Sequence, residues 1–122
     1  QEIEALPTFG RRRRQEAASA SSGAAGSATV ITLGPVLPLE ARTLELPATM
    51  GRNPDTRLHI PSRYVSRYHA QLLNEGDLLT IIHESPTNGS SVNGNKLTAG
   101  DQHPLRRGDL VFLDTEALLV AL

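Results

Sequence analysis

The chain has 122 residues, 39% of them apolar, and its 12 basic and 13 acidic side chains give a formal charge of −1. That length suits one domain with a sizeable core and excludes a large multidomain enzyme, while the near-neutral charge excludes binding to nucleic acid or membrane through the overall field. With no cysteine there are no disulfides, thiolate nucleophiles or Cys-ligated metals, and an aromatic content of 3% (Phe9, Tyr64, Tyr68, Phe112) requires an aliphatic core.

Residues 1–28 read as a disordered arm. The segment QEIEALPTFGRRRRQE offers Ile3, Leu6 and Phe9 but cannot bury enough surface to fold alone, and AASASSGAAGSA after it has the composition of a flexible tether. Four arginines (Arg11–Arg14) against three glutamates leave the arm at +1, and eight basic against ten acidic residues leave 29–122 at −2. Without aromatic residues interleaved for base stacking, the arginines suit a solvated arm better than a specific nucleic-acid contact. No apolar run approaches the ~20 residues of a membrane span, and no apolar stretch follows the Arg run as in a secretory signal. A cytoplasmic location is the expectation.

From residue 29 the apolar runs are short, have a period of two and are cut by turn residues every 8 to 12 positions, the pattern of an all-β sandwich or barrel of around ten strands. Val30–Leu33 and Thr43–Leu46 form the first strands, with Leu44 and Leu46 on one face and Thr43 and Glu45 on the other; Pro35, Pro38 and Pro47 bound them. His69–Leu73 and Leu78–His83 form a hairpin about a turn at Asn74–Asp77. Two Asn-Gly pairs, Asn88-Gly89 and Asn93-Gly94, follow as tight turns in which both residues tolerate positive φ. Leu110–Leu113 and Ala117–Leu122 close the domain around a turn at Asp114-Thr115-Glu116.

Charge is concentrated in one stretch. Residues 52–69 hold Arg52, Arg57, Arg63 and Arg67 against one acid, Asp55. A solvated face is the bland explanation of such a cluster, but Gly51-Arg52, Ser66-Arg67-Tyr68-His69 and Thr87-Asn88-Gly89-Ser90 all fall at strand ends, where loops on a rigid sandwich carry recognition. A phosphorylated side chain, with about −1.5 to −2 charge and three acceptor oxygens, needs guanidinium groups, hydroxyls and backbone N–H donors. Arg52, Ser66, Arg67 and Thr87 supply that inventory.

The succession Gly51-Arg52, Leu58 and Ile60, Val65-Ser66-Arg67-Tyr68-His69-Ala70, Thr87-Asn88-Gly89-Ser90, Val92-Asn93-Gly94, then Leu105 and Gly108-Asp109 resembles a forkhead-associated domain across residues 29–122. The resemblance implies a β-sandwich of about eleven strands that binds phosphothreonine in a partner protein or peptide, without catalysis or cofactor, as an adaptor in Ser/Thr-kinase signalling. By that resemblance, Arg52, Ser66, Arg67 and Thr87 bind the phosphate and Asn88 holds the peptide main chain. His69 braces the loops. Gly51, Gly89, Asn93 and Gly94 are structural, the glycines because a Cβ is excluded there by positive φ or close approach. Arg63 and Tyr64 are the expected readers of the third residue after the phosphothreonine, which for Arg63 would be acidic. Ser90 replaces the more frequent Thr, and Pro86 removes one N–H donor beside Thr87.

Three rival readings carry less. A Ser66–His69 nucleophile and base, oriented by Asp55 or Asp77, is opposed by their odd spacing, which in an extended strand sends the two side chains to opposite faces, and no Gly-x-Ser-x-Gly elbow is present. His59, His69, His83 and His103 lack metal-ligand spacing. A phosphate-independent structural or oligomerisation adaptor is opposed by the complete set Arg52, Ser66, Arg67, Thr87 and Asn88. Self-binding through a phosphorylated Thr8 is a further possibility, since the ~20-residue tether spans about 25 Å and would allow self-association through the arm.

Overall fold

The computed structural model describes residues 26–85 and 87–122, so the arm with Thr8 and Arg11–Arg14, and Pro86, lie outside the described residues. Eleven strands form two sheets with no helix among the described residues: β1 (Ser27–Gly34), β2 (Glu40–Glu45), β3 (Ala48–Gly51), β4 (Leu58–His59), β5 (Ala70–Glu75), β6 (Leu78–His83), β7 (Ser90–Val92), β8 (Asn95–Leu97), β9 (Gln102–Leu105), β10 (Leu110–Leu113) and β11 (Glu116–Val120). The six-stranded sheet runs β2-β1-β11-β10-β7-β8 and the five-stranded sheet β4-β3-β5-β6-β9. All pairings are antiparallel except β3 with β4. This is the expected all-β sandwich.

Alternation along each strand decides what enters the space between the sheets. In β1, Ala28, Val30 and Thr32 are buried, while Thr29 and Ile31 are half-buried and Leu33 is exposed. Met50, Leu58, Ile60, Ile81, Val111, Leu113 and Leu118 fill the centre, and among the described residues no Phe or Tyr is buried. The aliphatic core required by composition is present. β1 begins at Ser27, two residues before the boundary that composition suggests, because Ala28 is small enough to pack inside and pairs with Leu44 of β2.

The turns follow the local chemistry more closely than the sequence pattern does. The β5–β6 connection is only Gly76-Asp77, since Asn74 and Glu75 pair with Leu79 and Leu78; Gly76 has φ of 63°, and glycine at the first of two turn positions suits a type II′ hairpin. At Asn93-Gly94 both φ angles are positive, 51° and 86°, as a type I′ turn between β7 and β8 demands. Asn88-Gly89 is different. Neither residue has a positive φ, so this pair is not the tight turn expected of it.

The closing hairpin brings the largest correction. Glu116 is not a turn residue: it pairs with Leu113 at the start of β11, and the turn is Asp114-Thr115. Its side chain is 0% exposed, and its two carboxylate oxygens accept the backbone N–H groups of Val36, at 2.9 Å, and Leu37, at 2.7 Å. The β1–β2 connection has no ladder of its own there, so Glu116 supplies its acceptors. Sequence placed the glutamate in a turn because a charged residue beside Asp114-Thr115 gives no hint of a loop 80 positions away. Removing the carboxylate leaves two amides unpaired. Glu116→Ala is therefore expected to lower the stability measured by urea unfolding by about 2–3 kcal/mol, with Glu116→Gln recovering part of it through its remaining oxygen.

Candidate functional site

Three loops meet at one end of the sandwich: Arg52–Arg57 between β3 and β4, Ile60–His69 between β4 and β5, and Glu84–Gly89 between β6 and β7. Backbone hydrogen bonds lace the first to the second, with Arg52 N–H donating to Ser66 O at 2.9 Å and Asn53 N–H to Arg67 O at 3.1 Å. The first loop is a turn in which Thr56 N–H reaches Asn53 O, Pro54 occupies the second position, and the buried Thr56 hydroxyl donates back toward Asn53 O at 2.7 Å. A second turn, Val65 N–H to Ser62 O, lifts Arg63 and Tyr64 to its exposed tip.

Gly51 makes the lacing possible. A Cβ there would lie 2.2 Å from Arg67 O and 2.8 Å from Ser66 O, both backbone atoms that cannot swing away. Its necessity is close approach. At Gly94 it is positive φ, with nothing within 4 Å of an added Cβ. Gly89 meets neither condition, since its Cβ would contact only Lys96 Cε at 3.7 Å, and the expectation that it excludes a side chain does not hold. What the structure uses at Gly89 is its carbonyl, which any residue provides. Gly51→Ala is accordingly expected to cost about 2 kcal/mol or more in urea unfolding, as an overpacked site does, and Gly89→Ala less than about 0.5 kcal/mol.

His69 joins the second loop to the third. Its ring is buried, its Nδ1 accepts Ser66 N–H at 3.0 Å, and its Nε2 lies 3.0 Å from Gly89 O. Because Nδ1 must accept, the proton sits on Nε2 and is donated to Gly89. The His69 carbonyl accepts the N–H groups of Glu84 and Ser85, and its own N–H donates to Met50 O. His83 packs edge-on against it at 5.6 Å, with Nδ1 2.8 Å from the Ser90 hydroxyl.

Ser66 and His69 are bonded, contrary to the odd-spacing expectation, because residues 66–69 form a loop and not an extended strand. The bond runs to the Ser66 backbone and not to its hydroxyl. Both ring nitrogens are engaged with main chain, so the imidazole has no lone pair to offer Ser66 Oγ. No group of three metal-ligating side chains occurs among the described residues.

Around Ser66 the side chains form one network. Ser66 Oγ is hydrogen-bonded to Ser85 Oγ and accepts from Asn88 Nδ2 at 2.8 Å, and Ser85 Oγ accepts the backbone N–H groups of Thr87 at 3.3 Å and Asn88 at 2.9 Å. Arg52 is exposed and held by its Nε, which donates to Val65 O at 3.1 Å, while its terminal nitrogens have no hydrogen-bond partner among the described residues. Arg52, Ser66, Asn88 and the Thr87 backbone are thus brought together through direct bonds. Arg67 is exposed, with only its carbonyl fixed by Asn53. Arg63 donates to Tyr64 OH at 2.8 Å and lies 5.0 Å over its ring.

Arg57 leaves the arginine cluster. It turns to β2 and its flank, with Nη1 3.9 Å from Glu45 and Nε donating to Pro47 O. Asp55, the acid among the arginines, is committed to Asn53 and to the Tyr68 hydroxyl, which donates to it at 3.0 Å. The Asn53 bond first, and then Tyr68, hold its carboxyl below the usual range, and Asp55 in turn raises Tyr68. Asn93 bridges the β7–β8 turn to the β9–β10 connection, donating to Asp109 at 3.0 Å and accepting Leu110 N–H at 2.9 Å. Beside Thr87 a cleft of about 520 Å³ continues over Gly89, Ser91, Lys96, Phe112 and Asp114.

Ser85 was missed by reading the sequence. Its signal is local: a serine whose hydroxyl can take the N–H groups two and three residues on, followed by a proline that has none, is a serine-turn pattern. Nothing in the pattern reveals the bond to Ser66, 19 positions away.

Burial pushes the pKa of both His69 and His83 below the ordinary 6.5. The unfolded chain therefore takes up protons first as pH falls, so the stability carried by neutral His69 and His83 is full above about pH 6.5 and declines below it. The carboxyls of Asp101 and Asp109 are also held low, mainly by backbone N–H bonds from Thr98 and Arg106, and act in the same direction at more acid pH. Urea midpoints are expected to be flat from pH 8 to 7 and to fall from 6.5 to 5.5, with His69→Asn less stable throughout but shallower over that interval.

With this geometry in place, comparison with known proteins is decisive for the family. The FHA domain family profile matches residues 48–113, and the chain belongs to that family. Among solved structures, the N-terminal FHA domain of S. cerevisiae Rad53p in complex with a phosphothreonine peptide aligns at 24% identity and a TM-score of 0.70, covering 79% of this chain and 93% of that one. The FHA domain of FhaA complexed with the intracellular domain of Rv3910 aligns at 25% identity and a TM-score of 0.63, over 77% and 99%. The FHA domain of CT664 from Chlamydia trachomatis aligns at 21% identity and a TM-score of 0.68, over 79% and 97%. No curated protein matches. No helix among the described residues is long and apolar enough to cross a membrane.

Proposed function

We propose that the domain is a phosphothreonine-dependent recognition module that binds a phosphorylated protein or peptide and serves as an adaptor downstream of a Ser/Thr kinase. The observation that carries this reading is the exposed Arg52 guanidinium, pinned by Nε to Val65 O next to the Ser66–Ser85–Asn88 network, with its terminal nitrogens bonded to no partner among the described residues. A fork of that kind suits two oxygens of one phosphate. Family membership and the phosphothreonine peptide bound to the Rad53p domain support the same ligand class.

In this reading Arg52, Ser66, Arg67 and Thr87 surround the phosphate. Asn88 keeps one amide hydrogen on Ser66 and has its carbonyl and second hydrogen for the main chain of the peptide, a contact indifferent to side-chain identity. Arg63 and Tyr64, stacked at their turn tip, read the third residue after the phosphothreonine and favour an acid there. Ligand recognition involves no cofactor and no chemical step.

A degenerate phosphothreonine library, titrated against the wild type and Arg52→Ala with unphosphorylated peptides as control, tests the proposal. Phosphorylated peptides should bind and the variant should lose at least about thirtyfold, the size of a charge-assisted pair worth about 2 kcal/mol, while its urea midpoint stays near the wild-type value. Arg63→Ala should erase the preference for an acid without that loss. Equal binding of phosphorylated and unphosphorylated peptides would overturn the reading in favour of a phosphate-independent adaptor.

A further inference from the structure

The hydrogens of the Ser66–Ser85 pair can be assigned by counting. A serine hydroxyl has two lone pairs and one hydrogen. Ser85 Oγ already accepts two N–H groups, from Thr87 and from Asn88, so both of its lone pairs are taken and its own hydrogen must go to Ser66 Oγ. Ser66 Oγ then accepts from Ser85 O–H and from Asn88 Nδ2–H, which fills its two lone pairs in turn. What remains on Ser66 is a single hydrogen with no acceptor among the described residues.

We infer that Ser85 is a positioning residue that fixes the polarity of Ser66, making its hydroxyl a donor only. The inference rests on the phosphothreonine reading above. A serine that could rotate freely would serve a donor or an acceptor alike, including the hydroxyl of an unmodified threonine. Held as it is, Ser66 can answer only an acceptor, and a phosphate presents three acceptor oxygens where threonine presents one hydroxyl that also donates. Ser85 is suited to the task because it is 2% exposed, so water does not compete for its hydrogen, and because its N–H is anchored to the His69 carbonyl at 3.2 Å. The imidazole of that same residue holds the Ser66 main chain. Both hydroxyls are therefore set by one residue, and the orientation exists before any ligand arrives.

The test is a double-mutant cycle of Ser66→Ala and Ser85→Ala, read by titration with a phosphothreonine peptide and its unphosphorylated twin, with urea midpoints for every variant. Ser85→Ala is expected to weaken phosphopeptide binding about tenfold in the wild-type background and less than threefold when Ser66 is already alanine, and to narrow the ratio between the two peptides. Equal losses in both backgrounds, or none in either, would overturn the inference while leaving the phosphothreonine reading intact. A wild type that ignores phosphorylation would overturn that reading and the inference with it. Hydroxyl-proton NMR of the unliganded wild-type domain gives a second measurement that needs no variant: the Ser85 hydroxyl proton should exchange slowly and lie close to Ser66, whereas a slow Ser66 hydroxyl proton directed at Ser85 would reverse the assignment and sink the proposal.

Discussion

The organisation of this end of the sandwich, where three loops meet, depends on one neutral imidazole. His69 accepts from Ser66 N–H through Nδ1 and donates to Gly89 O, 20 residues on, through Nε2, so one rigid ring fixes the separation of the second and third loops. Each bond is worth only about 1 kcal/mol net, but breaking either leaves a buried partner unpaired, which costs more. Protonation would place a hydrogen on Nδ1 against the Ser66 N–H. The same burial that lowers its pKa thus protects the geometry at neutral pH.

Around this ring the loops are held by main chain more than by side chain. Gly51 lets Arg67 O and Ser66 O approach its Cα, and the bonds from Arg52 N–H and Asn53 N–H then lock the first two loops together. The sheets behind them are closed by an aliphatic core, and Glu116 holds the β1–β2 connection through the N–H groups of Val36 and Leu37. Such a frame reduces the ordering that binding must supply. A loop already in place loses little entropy when a ligand arrives.

Electrostatics at this end is local. The folded portion, residues 29–122, is acidic overall, yet Asp55 is engaged by Asn53 and Tyr68, while Arg52, Arg63 and Arg67 remain exposed. Internal acceptors are consumed by internal donors, in His69 Nδ1, Ser66 Oγ and Ser85 Oγ alike. Left beside the Asn88 carbonyl are mainly donors, among them the exposed guanidinium groups of Arg52, Arg63 and Arg67. An acceptor-rich anion is the ligand that such a surface fits, and this follows from hydrogen-bond counting as much as from charge.

Much of this was legible in the linear chain. Period-two patterning exposed most strands, because a residue's face depends only on its parity along an extended backbone, and the scarcity of aromatic residues dictated an aliphatic core. Asn93-Gly94 announced a turn through its own conformational freedom. The blocks from Gly51-Arg52 to Gly108-Asp109 carried the family. Contacts between distant positions were not legible: Glu116 beneath residues 36 and 37, Ser85 against Ser66, Arg57 turned to Glu45, and a Gly89 that needs no glycine. Composition and periodicity are local properties, whereas these depend on which loops the two sheets bring side by side, and that was decided only when the chain closed on itself.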